Sequence, residues 1–313
     1  MSQHLDEATE SGDADRSQAT LLELVGPDRR VLDVGCGAGQ VARGLLAQGC
    51  TVVGIDSDAA AAEKAADALE QVVVAELDTL DLIETFGESS FDVVVYDDVL
   101  GELRDPRGSL RQARRLLRPG GSLVTSVHNV GHGDVRLALL SGRWDYAQSG
   151  PLDESRLRFY THDSIRQLLR ACGFAVVDTR RIDRAMFDTG LGVTPQDYPP
   201  ELVEAVTTAP DSQTYRFVLR AVLDDADGAV MLLSDREHAA AVAVDSLRRR
   251  VGELEQTLAV TEDRLARAEA ERDIRAASAE HADRELAAFR ATRTYRWSRR
   301  ARRIYGEFRA GRQ

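Results

Sequence analysis

A chain of 313 residues, 43% hydrophobic but only 5% aromatic, can bury one large and mostly aliphatic core and still carry an extension or a second domain. Its net charge of −12 argues against general nucleic-acid binding, and no run approaches the roughly 20 apolar residues of a membrane span. Three scattered cysteines, Cys36, Cys50 and Cys172, point away from a disulfide framework or zinc site and toward a reducing compartment such as the cytosol.

Residues 1–19 are acidic and polar and lack the basic start and apolar stretch of a secretory signal, so they read as a disordered lead-in. Residues 20–225 read as one domain. Short β-branched runs at 30–34, 51–56, 72–75, 91–96 and 121–127 alternate with helical patterns at about 39–48, 58–69, 78–86 and 106–118. That order implies a parallel sheet with helices on both faces. Pro119-Gly120-Gly121 is expected to end a helix and turn the chain into the fifth strand. A short helix at 133–142 follows, then an irregular segment at 143–160. The next helix is capped by Thr161 or Asp163, and strands at 174–181 and 214–223 flank a short helix at 200–208.

From 233 to 290 there is no proline and one glycine, and apolar residues recur at alternating spacings of 3 and 4. Val244, Leu247, Val251, Leu254, Leu258 and Leu265 belong to this seam, which predicts a coiled coil and a homo-oligomer. Residues 291–313 hold eight arginines and one acid, a local charge of +7 that leaves −19 on the rest of the chain. Trp297, Ala301, Ile304, Tyr305 and Phe308 fall on one helical face, so this tail reads as a basic amphipathic helix for an anionic membrane surface or a protein partner.

The strongest local signal is the run from Val31 to Gly39, where a strand carrying Asp33 enters a turn with glycine at alternate positions, Gly35, Gly37 and Gly39. Such glycines let backbone approach a ligand. A dinucleotide turn has the spacing G-x-G-x-x-G; here the third glycine comes one residue early and Gln40 stands in its place. Asp33 would sit poorly beside a pyrophosphate and well beside the ammonium of S-adenosylmethionine, which carries no phosphate. Asp56 ends the second strand, seventeen residues after Gly39, where a carboxylate can accept from both ribose hydroxyls. Glu76 follows the third strand, and Asp97 and Asp98 follow the fourth, at the carboxyl ends where ligands of such sheets bind.

VLDVGCGAGQ, GIDSD, FDVVVYDDVL and LLRPGGSL, in that order, resemble the class I S-adenosylmethionine-dependent methyltransferases over roughly residues 20–223. The resemblance implies a Rossmann-like α/β fold, a seven-stranded sheet of order 3-2-1-4-5-7-6 with strand 7 antiparallel. It implies S-adenosyl-L-methionine as cofactor, with Asp33, Gly35, Cys36, Gly37 and Gly39 at the methionine end. Asp56 and Ser57 would lie by the ribose, Glu76 and Leu77 by the adenine, and Asp97 close by. One departure stands out. Many relatives read D-V-L-E-H after strand 4, whereas this chain reads Asp98-Val99-Leu100-Gly101-Glu102.

Methyl transfer to an alcohol needs a base, and a carboxylate acceptor needs none. His132, between two glycines just after the fifth strand, is the expected base, with Asp98 or Glu102 orienting it or acting in its place; His128 is expected to be buried on the strand. Aromatics, arginines and acids from Arg143 to Tyr160 suit a polar acceptor such as a sugar. NVGHGDVRLALLSGRWDY, GPLD and RLRFYTHDSI are similar to a methyltransferase subgroup associated with bacterial surface-polysaccharide synthesis, which implies a saccharide-linked acceptor. The alternatives are methylation of a small-molecule nitrogen, carbon or carboxylate, or a scaffold that binds cofactor without turnover. No metal site is expected.

Overall fold

In β1 (Arg30–Val34) and β4 (Phe91–Asp97) the side chains alternate between two covered faces, so both strands read as nearly unbroken apolar runs. Leu32, Val34, Val94 and Tyr96 enter one core, while Val31, Val93 and Val95 enter the other. Full burial of each such side chain contributes about 1.5–3 kcal/mol.

The computed structural model describes residues 2–310 and divides into two units, Met1–Glu237 and His238–Gln313. The first unit runs α1 (Ser2–Val25), β1, α2 (Gln40–Ala47), β2 (Thr51–Asp56), α3 (Ala59–Ala66), β3 (Gln71–Val74), α4 (Leu82–Phe86) and β4. It continues with α5 (Pro106–Leu116), β5 (Leu117–His128), α6 (Gly133–Leu140), α7 (His162–Ala171), β6 (Phe174–Asp183), α8 (Pro200–Thr207) and β7 (Thr214–Leu223). The seven strands are ordered β3-β2-β1-β4-β5-β7-β6, with β7 antiparallel to both neighbours, as the motifs implied. α4, α5 and α7 cover one face, and α1, α2 and α3 the other. Local chemistry sets the helix starts. Asp58, Asp81 and Asp105 each accept backbone N–H bonds at the start of α3, α4 and α5, and Thr161 forms a capping box with Ser164 at α7.

Two expectations are corrected. Residues 2–19 of the lead-in are helical, within α1, and from Asp13 onward α1 packs on the sheet, with Asp13, Ser17 and Leu21 buried. Its polar composition hides an ion pair described below. The fifth strand begins at Leu117, before the Pro-Gly-Gly turn. Phe91 pairs with Leu117 and Val93 with Ser122, so Arg118–Gly121 bulge out of the ladder and the strand resumes.

Beyond β7 the backbone continues as α9 (Ala226–Ala291) and, after Thr292, α10 (Arg293–Ala310). Along α9 the seam residues Val251, Leu254, Leu258, Leu265 and Phe289 are exposed. Val244 and Leu247 fall outside the residues with described side chains. Among the described residues, no helix is long and apolar enough to cross a membrane.

Candidate functional site

The turn after β1 is built so that only glycine fits at its first position. Gly35 has φ +74°, and a Cβ there would stand 2.3 Å from Cγ2 of Val99. Asp56, at the end of β2, holds the turn: its Oδ2 accepts from the Gly37 N–H at 2.7 Å and its Oδ1 from the Asp58 N–H at 2.8 Å. Each oxygen keeps a lone pair for a further donor. Asp33 is 1% exposed, and its Oδ2 is buried without a hydrogen-bond partner. Burial, then the charges of Asp97 and Asp56, raise its pKa to about 7. A buried carboxylate oxygen lacking a donor is costly unless a ligand supplies one. Cys36 is buried, and burial followed by the charge of Asp33 pushes its thiol to about 12, which leaves it a packing residue rather than a nucleophile. Ser57 and Glu76 are exposed, and Leu77 packs partly buried against the core.

A cavity of about 400 Å³ opens beside the ends of β4, β5 and β7, lined by Asp98, His128, Asp153, Arg156, Tyr215 and Arg216 together with Asp13 of α1. Asp98 is its hub. Its backbone has φ +65°, a conformation sparse for non-glycine residues and one that collects at functional sites. Arg156 clamps its carboxylate with two parallel bonds, 2.7 and 2.5 Å long. His128 Nδ1 lies 2.9 Å from Asp98, and Arg216 Nη2 lies 3.0 Å from His128 Nε2. Arg216 can only donate, so Nε2 carries the lone pair and Nδ1–H donates to Asp98. Arg156 Nη2 also lies 2.8 Å from Nδ1, but the Asp98 carboxylate facing Nδ1 can only accept, which selects the Nδ1–H tautomer. Burial holds His128 neutral by lowering its pKa to about 4, against an opposing pull from Asp98. Burial would raise Asp98, yet the His128 ring and the Arg216 charge outweigh it and hold the carboxyl well below the usual range. Asp97, which accepts from Ser126 Oγ, lies 3.9 Å from Arg216 Nη1 and adds its field to Asp33, so the turn and the cavity share one electrostatic network.

The structure places His132, the expected base, away from the cavity lining. It is fully buried as the N-cap of α6, with Nδ1 accepting from the Asp134 N–H at 3.2 Å and Nε2–H donating to the Arg184 carbonyl at 3.0 Å. Both ring nitrogens are spent on the fold. His128, expected to be buried, is buried and yet lines the cavity. Glu102 is exposed, at the end of the 3₁₀ turn Val99–Gly101. Sequence reasoning missed Arg156 and Arg216 as partners of Asp98. The available signal was Gly101: a Cβ there would lie 3.2 Å from both Arg156 Nη1 and the Arg158 carbonyl, so the departure at this position makes room for the clamp.

This order of strands, with a glycine turn and acids at the carboxyl ends, defines an α/β protein for a nucleoside-bearing cofactor. Over residues 11–179 the chain matches the methyltransferase-domain family, and it belongs to that family. It is 33% identical over 119 residues to a ubiquinone biosynthesis O-methyltransferase of Alkalilimnicola ehrlichii, covering 37% of this chain and 48% of the relative. It is 32% identical over 138 residues to a tRNA 5-carboxymethoxyuridine methyltransferase of Escherichia coli, covering 42% and 52%. A solved S-adenosylmethionine-dependent methyltransferase of Mesorhizobium loti superposes with a TM-score of 0.45 at 20% identity, covering 66% of this chain and 95% of that one. The chain spans about half to three-fifths of the length of the first curated relatives it matches. The family implies S-adenosyl-L-methionine as cofactor, and the residues fit it. The unpartnered oxygen of Asp33 suits an ammonium, Asp56 has lone pairs for ribose hydroxyls, and the turn leaves space at Gly37, where a Cβ would meet nothing within 4 Å. Among the described residues, no group of three or more His, Cys, Asp or Glu could hold a metal.

Proposed function

We propose that the chain is an S-adenosylmethionine-dependent O-methyltransferase in which His128, oriented by Asp98, takes the proton of an acceptor hydroxyl. When bound, S-adenosylmethionine supplies a methyl group activated by its sulfonium. Asp33 would hold its ammonium and Asp56 its ribose hydroxyls. The observation that carries the reading is the Asp98–His128 pair in a cavity electrostatically joined to the cofactor turn. Asp98 fixes the ring with its Nε2 lone pair outward and stabilises the imidazolium that forms on proton transfer. Arg216 occupies that lone pair at present; an entering hydroxyl takes its place, and the freed guanidinium turns to an acceptor oxygen.

The acceptor we favour is rich in hydroxyls, such as a sugar or saccharide-linked group. Support comes from the acids and arginines that line the cavity, and from Trp144 packed edge-on against Phe159 at 5.3 Å in the 143–160 segment. The paired guanidiniums of Arg156 and Arg216 favour a second reading, a carboxylate acceptor. The curated relative from Escherichia coli keeps a nucleic-acid acceptor in view, although the acidic charge disfavours it.

Isotopically labelled methyl transfer to a panel of hydroxyl and carboxyl acceptors tests this. For a hydroxyl acceptor, His128→Ala should cut kcat by about 10²–10⁴-fold with cofactor binding retained. Turnover within a few-fold of the unmodified chain would remove the base and favour the carboxylate. Cofactor binding without transfer to any acceptor would leave a scaffold.

The exposed seam of α9 supports a homo-oligomeric coiled coil over residues 233–290, in a protein of the reducing cytosol. Light scattering of the full chain should return a multiple of 34.3 kDa; a monomeric mass at micromolar concentration rejects the coil.

A further inference from the structure

α10 combines features that the methyl-transfer reading leaves unused. By position, Trp297, Ala301, Ile304, Tyr305 and Phe308 share one face of an 18-residue helix. Trp297 is 75% exposed and Ile304 57%. Arg293 and Arg300 fall along one border of that stripe, Arg302 and Arg309 along the other, and Arg299 falls opposite it. The arrangement asks for an apolar medium under the stripe and anions on both sides of it. A nucleic acid would satisfy the arginines and leave the stripe in water. A second copy of the helix would cover the stripe and set like charges against each other. A plane of anionic headgroups over acyl chains answers both demands, with the arginine stems lying over apolar surface and the guanidiniums reaching the phosphates. Charge complementarity also places the contact in the tail, because the other 290 residues carry −19 and are repelled by the same surface.

We propose that α10 docks on anionic lipid bilayers, lying in the plane of the interface with the Trp297–Ile304 face buried. The helix is too charged to span the bilayer, so the attachment is reversible and weakens as salt screens the arginines.

The test is co-sedimentation of the full chain with vesicles of phosphatidylcholine, with and without phosphatidylglycerol. The expected result is binding only to the phosphatidylglycerol vesicles, lost at high salt. In the full chain, the double substitution Trp297→Ser and Ile304→Ser should weaken binding more than about tenfold, because two buried apolar side chains are removed while every arginine stays. A chain ending at residue 290 should not sediment at all. An unchanged melting temperature of the first unit and unchanged cofactor binding show that both variants are folded. Equal binding by the truncated chain overturns the proposal. So does equal binding by the double variant, which would reduce the contact to charge alone. Failure of the full chain to bind also overturns it, the outcome expected if the helix docks on a protein surface, including the acidic body of this chain.

Discussion

Asp98 occupies a left-handed backbone position at the end of β4 and gathers His128, Arg156 and Arg216 around one carboxylate. The position of Asp98 was legible in the sequence because it follows a strand, and strand ends are set by local hydrophobic pattern; Asp13 and Asp153, which line the same cavity, gave no such signal. The histidines were not legible in that way. His128 and His132 stand four residues apart, and flanking glycines made His132 look free although both its ring nitrogens are bonded within the fold. What separates them is tertiary. His132 meets the carbonyl of Arg184, 52 residues away, and His128 meets Arg216, 88 residues away. For His128 the neutral ring has a consequence in pH. Its pKa of about 4 lies below the ordinary 6.5, so the base form persists as pH falls through 6.5 and is lost only on approaching 4. At saturating cofactor, kcat should therefore stay level from pH 8 to about 5 before falling. An acid limb centred near 6.5 would show that the ring is solvated, or that another group is the base.

At the scale of elements, α1 was the largest misreading. Composition marks residues 1–19 as solvent-seeking, and a single-sequence reading cannot see that Asp13 meets Arg184 in the core. Both side chains are 3% exposed, and the Arg184 guanidinium also lies 3.7 Å over the ring of Tyr215. The pair fastens α1 beside the cavity, whose wall includes Asp13 and Tyr215. Removing one partner of a buried ion pair costs about 3–5 kcal/mol, since the other charge stays buried. Asp13→Ala should therefore lower unfolding free energy by about 3 kcal/mol in denaturant titration. A change below about 1 kcal/mol would place the pair effectively in solvent. The fifth strand illustrates a milder limit. Pro119 and Gly120 signal a break, and the chain does leave the ladder there, but pairing at Leu117 before the bulge depends on Phe91 of the neighbouring strand.

At the scale of the whole molecule, the sheet was legible because alternating apolar runs and capping residues act locally, and the strand order followed from the motifs between them. The cavity was not, because it draws on α1, β4, β5, β7 and the 143–160 segment, which are far apart in the chain.

One buried oxygen reaches that global scale as well. Asp33 binds a proton near pH 7 when folded and near 3.8 as a free side chain, so folding takes up protons between those values and the empty domain loses stability as pH rises from about 4 to about 7. An ammonium donated into the site binds the ionised carboxylate and reverses that loss. Cofactor loading should therefore expel protons below neutrality, with a dissociation constant that rises about tenfold per pH unit under pH 7. The melting-temperature gain on loading should be larger at pH 8 than at pH 6. Calorimetry in buffers of different ionisation enthalpy reads the proton count directly; a binding heat independent of buffer at pH 6 would mean that Asp33 is ionised before its ligand arrives.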